Sequence, residues 1–371
     1  MDDKIVIIGA GISGATLAER YANKLNKKVL IIEKRDHIGG NCCDFYDKSG
    51  ILVPKYGPHF FHTNLEDVWN YVKNFTEWTP YEHRVLSYVD KQLVPVPVNI
   101  TTVNKIFKLN IKNEEEMRDW LNKNTENIPD PKNSEESALA RVGKVLYEKM
   151  FKNYTKKQWD MYPKELDAQV MNRIPVRENF DDRYFADKYQ FMPKYGYTKL
   201  FEKMLNNKNI EILLNTDYFD IKDAIKKYHK LFYTGQIDRF FDYKYSNIDK
   251  LQYRSLNFKF ETLDMEFFQP ATSVNYPNNY KFTRITEPKH YTKQKNKKTT
   301  IIKEYSTWDG EPYYPVPNVR NQQLYEEYRK ETDKLKNIYF VGRLANYKYF
   351  NMDQAFKNAL DIFYSIEKNA R

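Results

Sequence analysis

The fold is decided near the start of the chain, which reads Ile5-Val6-Ile7-Ile8-Gly9-Ala10-Gly11-Ile12-Ser13-Gly14. Four consecutive apolar residues are typical of a parallel strand that is buried on both faces. The glycines match the dinucleotide fingerprint. They permit a tight turn, a close approach of backbone to a pyrophosphate, and close packing of the helix that follows. A second apolar run, at 29–32, then predicts a strand–helix–strand unit. A tight turn without a ligand is the alternative.

Three features beyond this turn indicate which dinucleotide is bound. Glu33 ends the second strand, where a carboxylate can accept hydrogen bonds from a ribose diol. The pair Gly39-Gly40 permits close backbone approach to a bulky cofactor. Near the end of the chain, Val341-Gly342-Arg343 precedes a predicted helix, whose N-terminus can stabilise negative charge on a reduced flavin ring. Together they favour a flavin over a nicotinamide.

Composition bounds the class of protein. The 371 residues are 41% hydrophobic and 30% charged, which fits a globular protein and argues against disorder. Sixty Lys and Arg against 50 Asp and Glu give a net charge of +10. This excess favours an acidic partner, such as a nucleotide, a nucleic acid or an anionic membrane, although a lysine-rich surface without a partner is equally consistent with it.

Targeting and redox signals are weak. No apolar run approaches the ~20 residues that span a bilayer, and the acidic start differs from an ordinary signal peptide. The two cysteines, Cys42 and Cys43, are adjacent and cannot form a disulfide framework, so they are predicted to be small buried thiols.

The chain-wide pattern predicts a mixed α/β fold with three parts. A Rossmann-like domain with a parallel sheet is expected from 1–82, 192–248 and 336–371. A helical domain is expected over 99–170, where apolar residues recur at helical spacing and Ser134 is a candidate cap. An antiparallel sheet domain is expected from 83–98, 171–191 and 249–335, because 250–310 alternates aromatic and β-branched residues with polar ones. The basic run 293–298 is predicted to cap a solvated hairpin.

Motifs along the whole chain are more specific than the glycine turn. They include Lys55-Tyr56-Gly57-Pro58-His59-Phe60-Phe61-His62 and Asn153-Tyr154-Thr155-Lys156-Lys157-Gln158-Trp159. Others stand at 173–177, 196–200, 233–238, 253–256, 283–285, 311–315 and 342–345. Taken together, the sequence resembles the UDP-galactopyranose mutase family essentially from end to end.

The resemblance implies an isomerase. The family interconverts UDP-galactopyranose and UDP-galactofuranose, without net redox change, by covalent catalysis through N5 of reduced FAD. The protein then supplies orientation and electrostatics, and it must stabilise a pyrophosphate leaving group. The resemblance further implies a cytoplasmic homodimer that uses a reductant such as NAD(P)H and has no nucleic-acid partner or membrane span.

The resemblance also implies roles for individual residues that match the motifs of the family. A diphosphate requires forked donors, and the resemblance places a phosphate-binding pair at Arg173 and Arg284. It adds His62 and Arg343 to the catalytic set. The implied substrate-binding residues are Tyr154, Trp159, Arg173, Tyr184, Asn275, Arg284, Tyr313, Tyr314 and Tyr349, with Tyr154 near uracil and Trp159 on a mobile loop. The implied cofactor-binding residues are Gly9, Gly11, Ser13, Gly14, Glu33, Lys34, Gly40, Asn41, His59, Gly342, Arg343 and Met352.

No metal site is predicted. His59 and His62 stand three apart, but no third ligand is evident nearby. The resemblance instead puts this histidine pair beside the isoalloxazine, with an orienting or proton-relay role for His62. Glu304 matches a carboxylate of the family's active-site sheet.

Two positions depart from the family pattern. Many bacterial members carry Asp where this chain has Asn351, with Asp353 two residues later, and the Cys42-Cys43 pair is also unusual. Two other functions share the glycine turn. One is an FAD-dependent amine oxidase or desaturase, which would leave the paired arginines unexplained. The other is a binding protein on a degenerate flavin fold, which the intact glycines disfavour.

Overall fold

A five-stranded parallel sheet forms the centre of the computed structural model, which describes residues 4–225, 227–243 and 250–369. Its order places the first strand in the middle, with Ile5 paired to Val29 on one side and to Lys230 on the other. The strands, in sheet order, are Ile210–Leu213, Val29–Ile32, Ile5–Ile8, Lys230–Tyr233 and Ile338–Phe340. Both inner apolar runs are buried on both faces, as predicted.

Helices cover this sheet. Helix Ile12–Glu19 continues as a π-helical segment, Arg20–Lys24, and packs against helices Tyr197–Leu205 and Met352–Asn369. The contact with the first strand depends on Gly14, because a Cβ there would lie 1.9 Å from the carbonyl oxygen of Gly9. The third glycine of the fingerprint therefore has the packing role that the sequence predicts.

A seven-stranded sheet forms the second part. All its strand pairs are antiparallel except one, between Ser273–Asn275 and Val85–Val89. The strands, in sheet order, are Tyr314–Pro315, Tyr253–Leu263, Thr299–Thr307, Arg284–Thr286, Ser273–Asn275, Val85–Val89 and Gln92–Pro95. The predicted antiparallel sheet is thus present.

The helical part is inserted in the chain between strand Gln92–Pro95 of the large sheet and strand Tyr189–Pro193. Its helices are Ile100–Phe107, Glu114–Asn124, Ser134–Leu146, the π-helical Tyr147–Lys152, Asn153–Trp159 and the short Gln169–Asn172. The first three begin after an asparagine whose side chain accepts a backbone N–H, which satisfies one of the free donors at a helix start. The prediction that Ser134 is a cap is wrong: Asn133 caps that helix, and Ser134 is its first residue.

Smaller elements complete the structure. A three-stranded sheet joins Phe61–Thr63, Tyr189–Pro193 and Trp78–Pro80, and a hairpin joins Asp44–Tyr46 to Leu52–Pro54. The remaining helices are Gly40–Cys42, Glu66–Val72, Pro163–Glu165, Tyr218–Ile221, Ile237–Phe240, Lys289–Thr292 and Val319–Thr332. The predicted fold class is confirmed. The domain boundaries stay predictions, and the one at 248 lies outside the described residues.

Two buried charges fix the loops at one end of the large sheet. The fully buried Glu287 accepts hydrogen bonds from Phe268 N at 2.9 Å, Gln269 N at 3.0 Å and Thr299 Oγ1 at 2.5 Å. The ammonium group of Lys289, also buried, donates to the carbonyl oxygens of residues 266, 296 and 298. These bonds hold loop 264–270 against segment 293–298.

We predict that Glu287→Gln destabilises the protein by about 1–3 kcal/mol at neutral pH, because an amide cannot accept all of these donors. Burial would raise the pKa of Glu287, but hydrogen bonds from His290, Thr299 and two backbone N–H groups outweigh it and hold the pKa below its ordinary value. The stabilisation is therefore complete above the ordinary pKa and lost as pH falls through the folded-state pKa.

Urea unfolding at neutral and acidic pH measures this effect. The difference between the variant and the natural protein should shrink on acidification. The control is Glu261→Gln, which removes an exposed partner of Lys303 on the same sheet and should change stability by less than about 0.5 kcal/mol. A Glu287→Gln protein as stable as this control would contradict the prediction.

Candidate functional site

A long cleft opens at the carboxyl ends of the parallel strands, the usual ligand position in such sheets. It encloses about 1250 Å³ of atom-free space, part of it open to solvent. The residues that line it and were predicted to bind a cofactor are Gly9, Gly11, Ser13, Glu33, Lys34, Gly40, Asn41, His59, Gly342, Arg343 and Met352. Gly14, the remaining predicted cofactor residue, lies under the turn and packs the helix against the strand.

Glu33 is held in place by the backbone around it. Its side chain is 6% exposed, and its two carboxylate oxygens accept N–H groups from Ala10 at 2.8 Å and from Arg35 at 2.9 Å. Each oxygen keeps a further lone pair, since carboxylate oxygens accept more than one hydrogen bond. The lining of the cleft thus includes a fixed acceptor suited to a pair of hydroxyl groups.

Glycines allow the walls of the cleft to come close together. A Cβ at Gly40 would lie 2.9 Å from the Cα of Gly11. On the opposite wall, a Cβ at Gly342 would lie 2.6 Å from the Oγ of Ser13, at a φ of +94° that side chains rarely adopt. These close approaches fit a dinucleotide whose pyrophosphate lies against the backbone. The Glu33 carboxylate and the helix N-terminus after Gly11 fit the same ligand.

Arg343 stands at the inner end of the cleft beside a neutral histidine. Its guanidinium donates to the carbonyl oxygens of Phe350 at 2.6 Å and Tyr313 at 3.3 Å. The Nδ1 of His59 lies 3.1 Å from the carbonyl oxygen of Gly57, which can only accept, so Nδ1 carries the proton. Burial, and secondly the charge of Arg343, lower the pKa of His59 to about 4. Of Arg343 and His59, only Arg343 therefore carries a positive charge at this end of the cleft.

The two predicted phosphate-binding arginines approach the same group of tyrosines. The guanidinium of Arg173 stacks 3.5 Å from the ring centre of Tyr349, and that of Arg343 lies 4.9 Å from it. Arg284 donates to the hydroxyl of Tyr154. Burial would raise the pKa of Tyr349, but the charges of Arg173, Arg343 and Arg284 outweigh it and hold the pKa below its ordinary value. The site is therefore strongly positive and suited to an anion.

One row of the large sheet carries three polar side chains on the same face. Asn275, Arg284 and Glu304 are direct partners across neighbouring strands, so their side chains share one face. The Nε of Arg284 lies 3.7 Å from Glu304 but makes no hydrogen bond, and the buried Oδ1 of Asn275 has no partner within the described chain. Unpaired buried polar atoms are rare, and a ligand bound on this face could supply their partners.

The cleft and the arginine site share residues and form one continuous site. Asn351 lines the cleft, and its Oδ1 accepts a hydrogen bond of 2.9 Å from Arg173. This neutral amide therefore holds Arg173 without cancelling its charge. Tyr313 lines the cleft, whereas Tyr314 stacks on Tyr349 with ring centres 5.2 Å apart.

The aromatic residues of the helical part approach from the other side. Tyr154 lies in helix Asn153–Trp159, and burial raises its pKa to about 12 despite the charge of Arg284, so the phenol stays protonated. Trp159 ends the helix and packs behind Tyr314, with ring centres 6.2 Å apart. Tyr184 is close enough to Arg284 and Arg173 for their charges to oppose the rise of its pKa on burial.

His62 does not line the cleft. Its Nδ1 lies 2.9 Å from a carboxylate oxygen of Asp187, and its ring stacks on Phe185 with centres 3.6 Å apart. The other oxygen of Asp187 accepts from Asn64 at 3.0 Å. The carboxylate thus fixes the orientation of the ring.

Sequence reasoning missed His83 as well as Asp187. The buried ring of His83 stacks on Phe60 with centres 3.7 Å apart, and burial, Arg284 and His62 together lower its pKa well below the ordinary value. No spacing signal marks either residue, because their partners come from distant segments. Among the described residues, no group of three or more His, Cys, Asp or Glu is placed to hold a metal ion.

Comparison with known proteins gives consistent matches. A family model described as UDP-galactopyranose mutase matches residues 149–349, and one described as an NAD(P)-binding Rossmann-like domain matches residues 7–75. A dTDP-fucopyranose mutase of Escherichia coli is 40% identical, with 97% of each chain covered. A probable UDP-galactopyranose mutase of Klebsiella pneumoniae is also 40% identical, covering 96% of this chain and 92% of the relative.

Solved structures support the fold. A reduced UDP-galactopyranose mutase has a TM-score of 0.77 at 19% identity and covers 99% of this chain and 94% of its own. A putrescine oxidase has a TM-score of 0.61 at 12% identity, with 99% of each chain covered. At these identities the likeness concerns the fold alone.

We predict that Asp187→Ala changes the tautomer of His62. A carboxylate oxygen only accepts, so in the natural protein the proton is on Nδ1. Without Asp187 the ring loses this bond, and the ¹⁵N signals of His62 should show a mixture of both tautomers. Asn64→Ala keeps the Asp187–His62 bond and should leave those signals unchanged. Identical His62 signals in Asp187→Ala and the natural protein would refute the assignment.

Proposed function

Since the chain belongs to the UDP-galactopyranose mutase family, we propose that it interconverts the pyranose and furanose forms of UDP-galactose on reduced FAD, without net redox change. The resemblance found in the sequence is confirmed by the family match and by relatives that cover nearly the whole chain. The observation that carries the proposed activity is the convergence of Arg173, Arg284 and Arg343 beside a dinucleotide cleft.

The oxidase alternative shares the fold but leaves this convergence unexplained. A putrescine oxidase structure resembles the chain at 12% identity, which concerns architecture only. A protonated amine substrate would be repelled by these guanidinium groups, whereas a nucleoside diphosphate is attracted to them. The electrostatics of the site therefore support a sugar nucleotide.

The residues that line the cleft fit FAD in their chemistry. Glu33 would accept the ribose hydroxyls, the glycine turn would meet the pyrophosphate, and Arg343 would stabilise negative charge at the ring end. When bound, the reduced flavin supplies nucleophilic and electron-donating chemistry at the anomeric carbon. The neutral His59 beside Arg343 adds a hydrogen-bonding group without adding charge.

The arginines hold the diphosphate and stabilise the charge that develops on departing UDP. Planar guanidinium groups donate in pairs to phosphate oxygens. The unbonded Nε of Arg284 is a donor ready for this role, and Arg173 is held by a neutral amide, that of Asn351, rather than by a carboxylate. Donors that are already fixed in place act strongly because they need no reorganisation during the reaction.

The remaining predicted residues complete the substrate site. The ring of Tyr154 is proposed to contact the base, and the hydroxyl groups of Tyr184, Tyr314 and Tyr349 to donate to phosphate oxygens. The unpaired Oδ1 of Asn275 is a suitable acceptor for a sugar hydroxyl. Trp159 backs Tyr314 and excludes water from that side. His62 is proposed to orient the substrate or relay a proton.

The reductant, the oligomeric state and the location of the protein stay predictions. A reductant such as NAD(P)H, a homodimer and a cytoplasmic location follow from the family resemblance alone. Within the described ranges, no helix is both long enough and apolar enough to cross a membrane.

We predict that Arg173→Ala and Arg284→Ala each lower kcat/KM for UDP-galactofuranose by about 10²–10³-fold, because each removes a donor to the leaving group. Both proteins should keep their flavin absorbance, since neither side chain lines the dinucleotide cleft. The assay follows conversion by chromatography with dithionite as reductant. Arg118→Ala removes an exposed partner of Glu178 and should leave turnover unchanged. Normal turnover in both site variants would exclude the proposed role.

A second candidate substrate is dTDP-fucose, because the dTDP-fucopyranose mutase is as similar to this chain as the Klebsiella relative. The two substrates differ in the base, in the ribose and at the sugar C6. We expect kcat/KM to favour UDP-galactofuranose over dTDP-fucofuranose when both are assayed with the same reduced enzyme. The reverse preference would assign the fucose activity and keep the mutase chemistry.

A further inference from the structure

We propose that the surface formed by loop 264–270 and segment 293–298, here called the basic–apolar face, binds the surface of an anionic lipid membrane. This inference does not depend on the proposed catalytic function. It concerns side chains remote from the arginine site, and it assigns a role to the basic run that the sequence treats as a solvated hairpin.

The first component of this face is apolar and exposed. Met265, Phe267 and Phe268 lie within four positions of one loop and are 45%, 44% and 42% exposed. Single exposed apolar residues are common, but large apolar groups clustered on one loop mark a surface that binds something. Phe267 rests on His290, which leaves Met265 and Phe268 as the side chains freest to enter an apolar phase.

The second component is positive. Lys293, Lys295, Lys297 and Lys298 are all exposed. Loop 264–270 itself carries two acidic residues, at 264 and 266, so the lysines keep the face net positive. Clusters of lysine attract anionic headgroups, and the attraction adds to that from buried apolar area.

The two components are fixed side by side. The buried ammonium of Lys289 bonds to the carbonyl oxygens of Glu266, Asn296 and Lys298, and Glu287 holds the backbone of residues 268 and 269. Their relative position is thus part of the folded structure. A membrane would meet a preformed surface, with no ordering of a flexible segment on binding.

The apolar surface continues on the other side of the lysines. Asn296 donates to the carbonyl oxygen of Ser49, which places the hairpin Asp44–Tyr46 with Leu52–Pro54 next to the basic segment. Tyr46 of this hairpin is 58% exposed, whereas Phe45 points to the opposite face of the strand and contacts Phe260. Lysines flanked by apolar side chains are the arrangement of an interfacial membrane site.

A membrane explains this arrangement better than an acidic polymer does. The phosphates of a nucleic-acid duplex would pair with the lysines, but its stacked bases offer no apolar phase to Met265 and Phe268. A bilayer offers both an anionic surface and, just below it, an apolar phase. The proposal therefore predicts that both components contribute to binding.

Co-sedimentation of the full-length protein with lipid vesicles tests the proposal. We expect binding to vesicles of phosphatidylglycerol and phosphatidylcholine, little binding to phosphatidylcholine alone, and weaker binding as salt rises from about 0.1 M to about 1 M. The triple variant Lys295→Gln, Lys297→Gln, Lys298→Gln should bind about 100-fold more weakly. Met265→Gln with Phe268→Gln should also weaken binding.

A variant with the same loss of charge at other exposed positions serves as the control. Lys112→Gln, Lys123→Gln, Lys164→Gln removes the same charge from exposed positions of the helical part and should bind vesicles as the natural protein does. Circular dichroism on heating checks that each variant is folded. Equal loss in this control, no loss in the apolar pair, or no vesicle binding by the natural protein would each overturn the proposal; the second would indicate a purely acidic partner.

Discussion

Three guanidinium groups repel one another in the candidate site of this protein, and the residues around them hold them together. Arg173 and Arg343 approach Tyr349 from a short distance, Arg284 rests on Tyr154, and backbone carbonyl groups accept from Arg343. Aromatic faces and neutral acceptors reduce the repulsion without neutralising the charge. The carboxylate of Glu304 lies 3.7 Å from the Nε of Arg284, which is too far for a tight ion pair. The net charge of this site is suited to an anionic ligand.

This constraint explains why the chain is folded in pieces. Arg173 follows the helical part, Arg284 starts a strand of the seven-stranded sheet, and Arg343 follows the last strand of the parallel sheet. The parallel sheet has one apolar core, and the helical part shares a second one with Val89 and Val94 of the large sheet. The polar site lies where the parts meet, and the glycine-lined cleft leads the dinucleotide to that meeting point.

Local sequence predicted the parts of this structure whose causes are local. The apolar run at 5–8, the glycine turn and the buried second strand depend on neighbours in the chain, and all three are found as predicted. The arginine pair was predicted from family resemblance, since no spacing rule joins positions so far apart. The roles of His83 and Asp187 were not predicted, because each depends on a partner from another segment. The helix at Ser134 shows that even a local cap can shift by one residue when two capping residues are adjacent.

The origin of the three arginines in three separate parts of the chain has a consequence for stability. A diphosphate bound among them would act as a non-covalent cross-link between the helical part, the large sheet and the parallel sheet. Separation of any two parts would then require loss of the ligand, so occupancy adds to the free energy of unfolding in proportion to the logarithm of ligand concentration. Resistance of the chain to proteolysis would thus follow the cellular supply of sugar nucleotide.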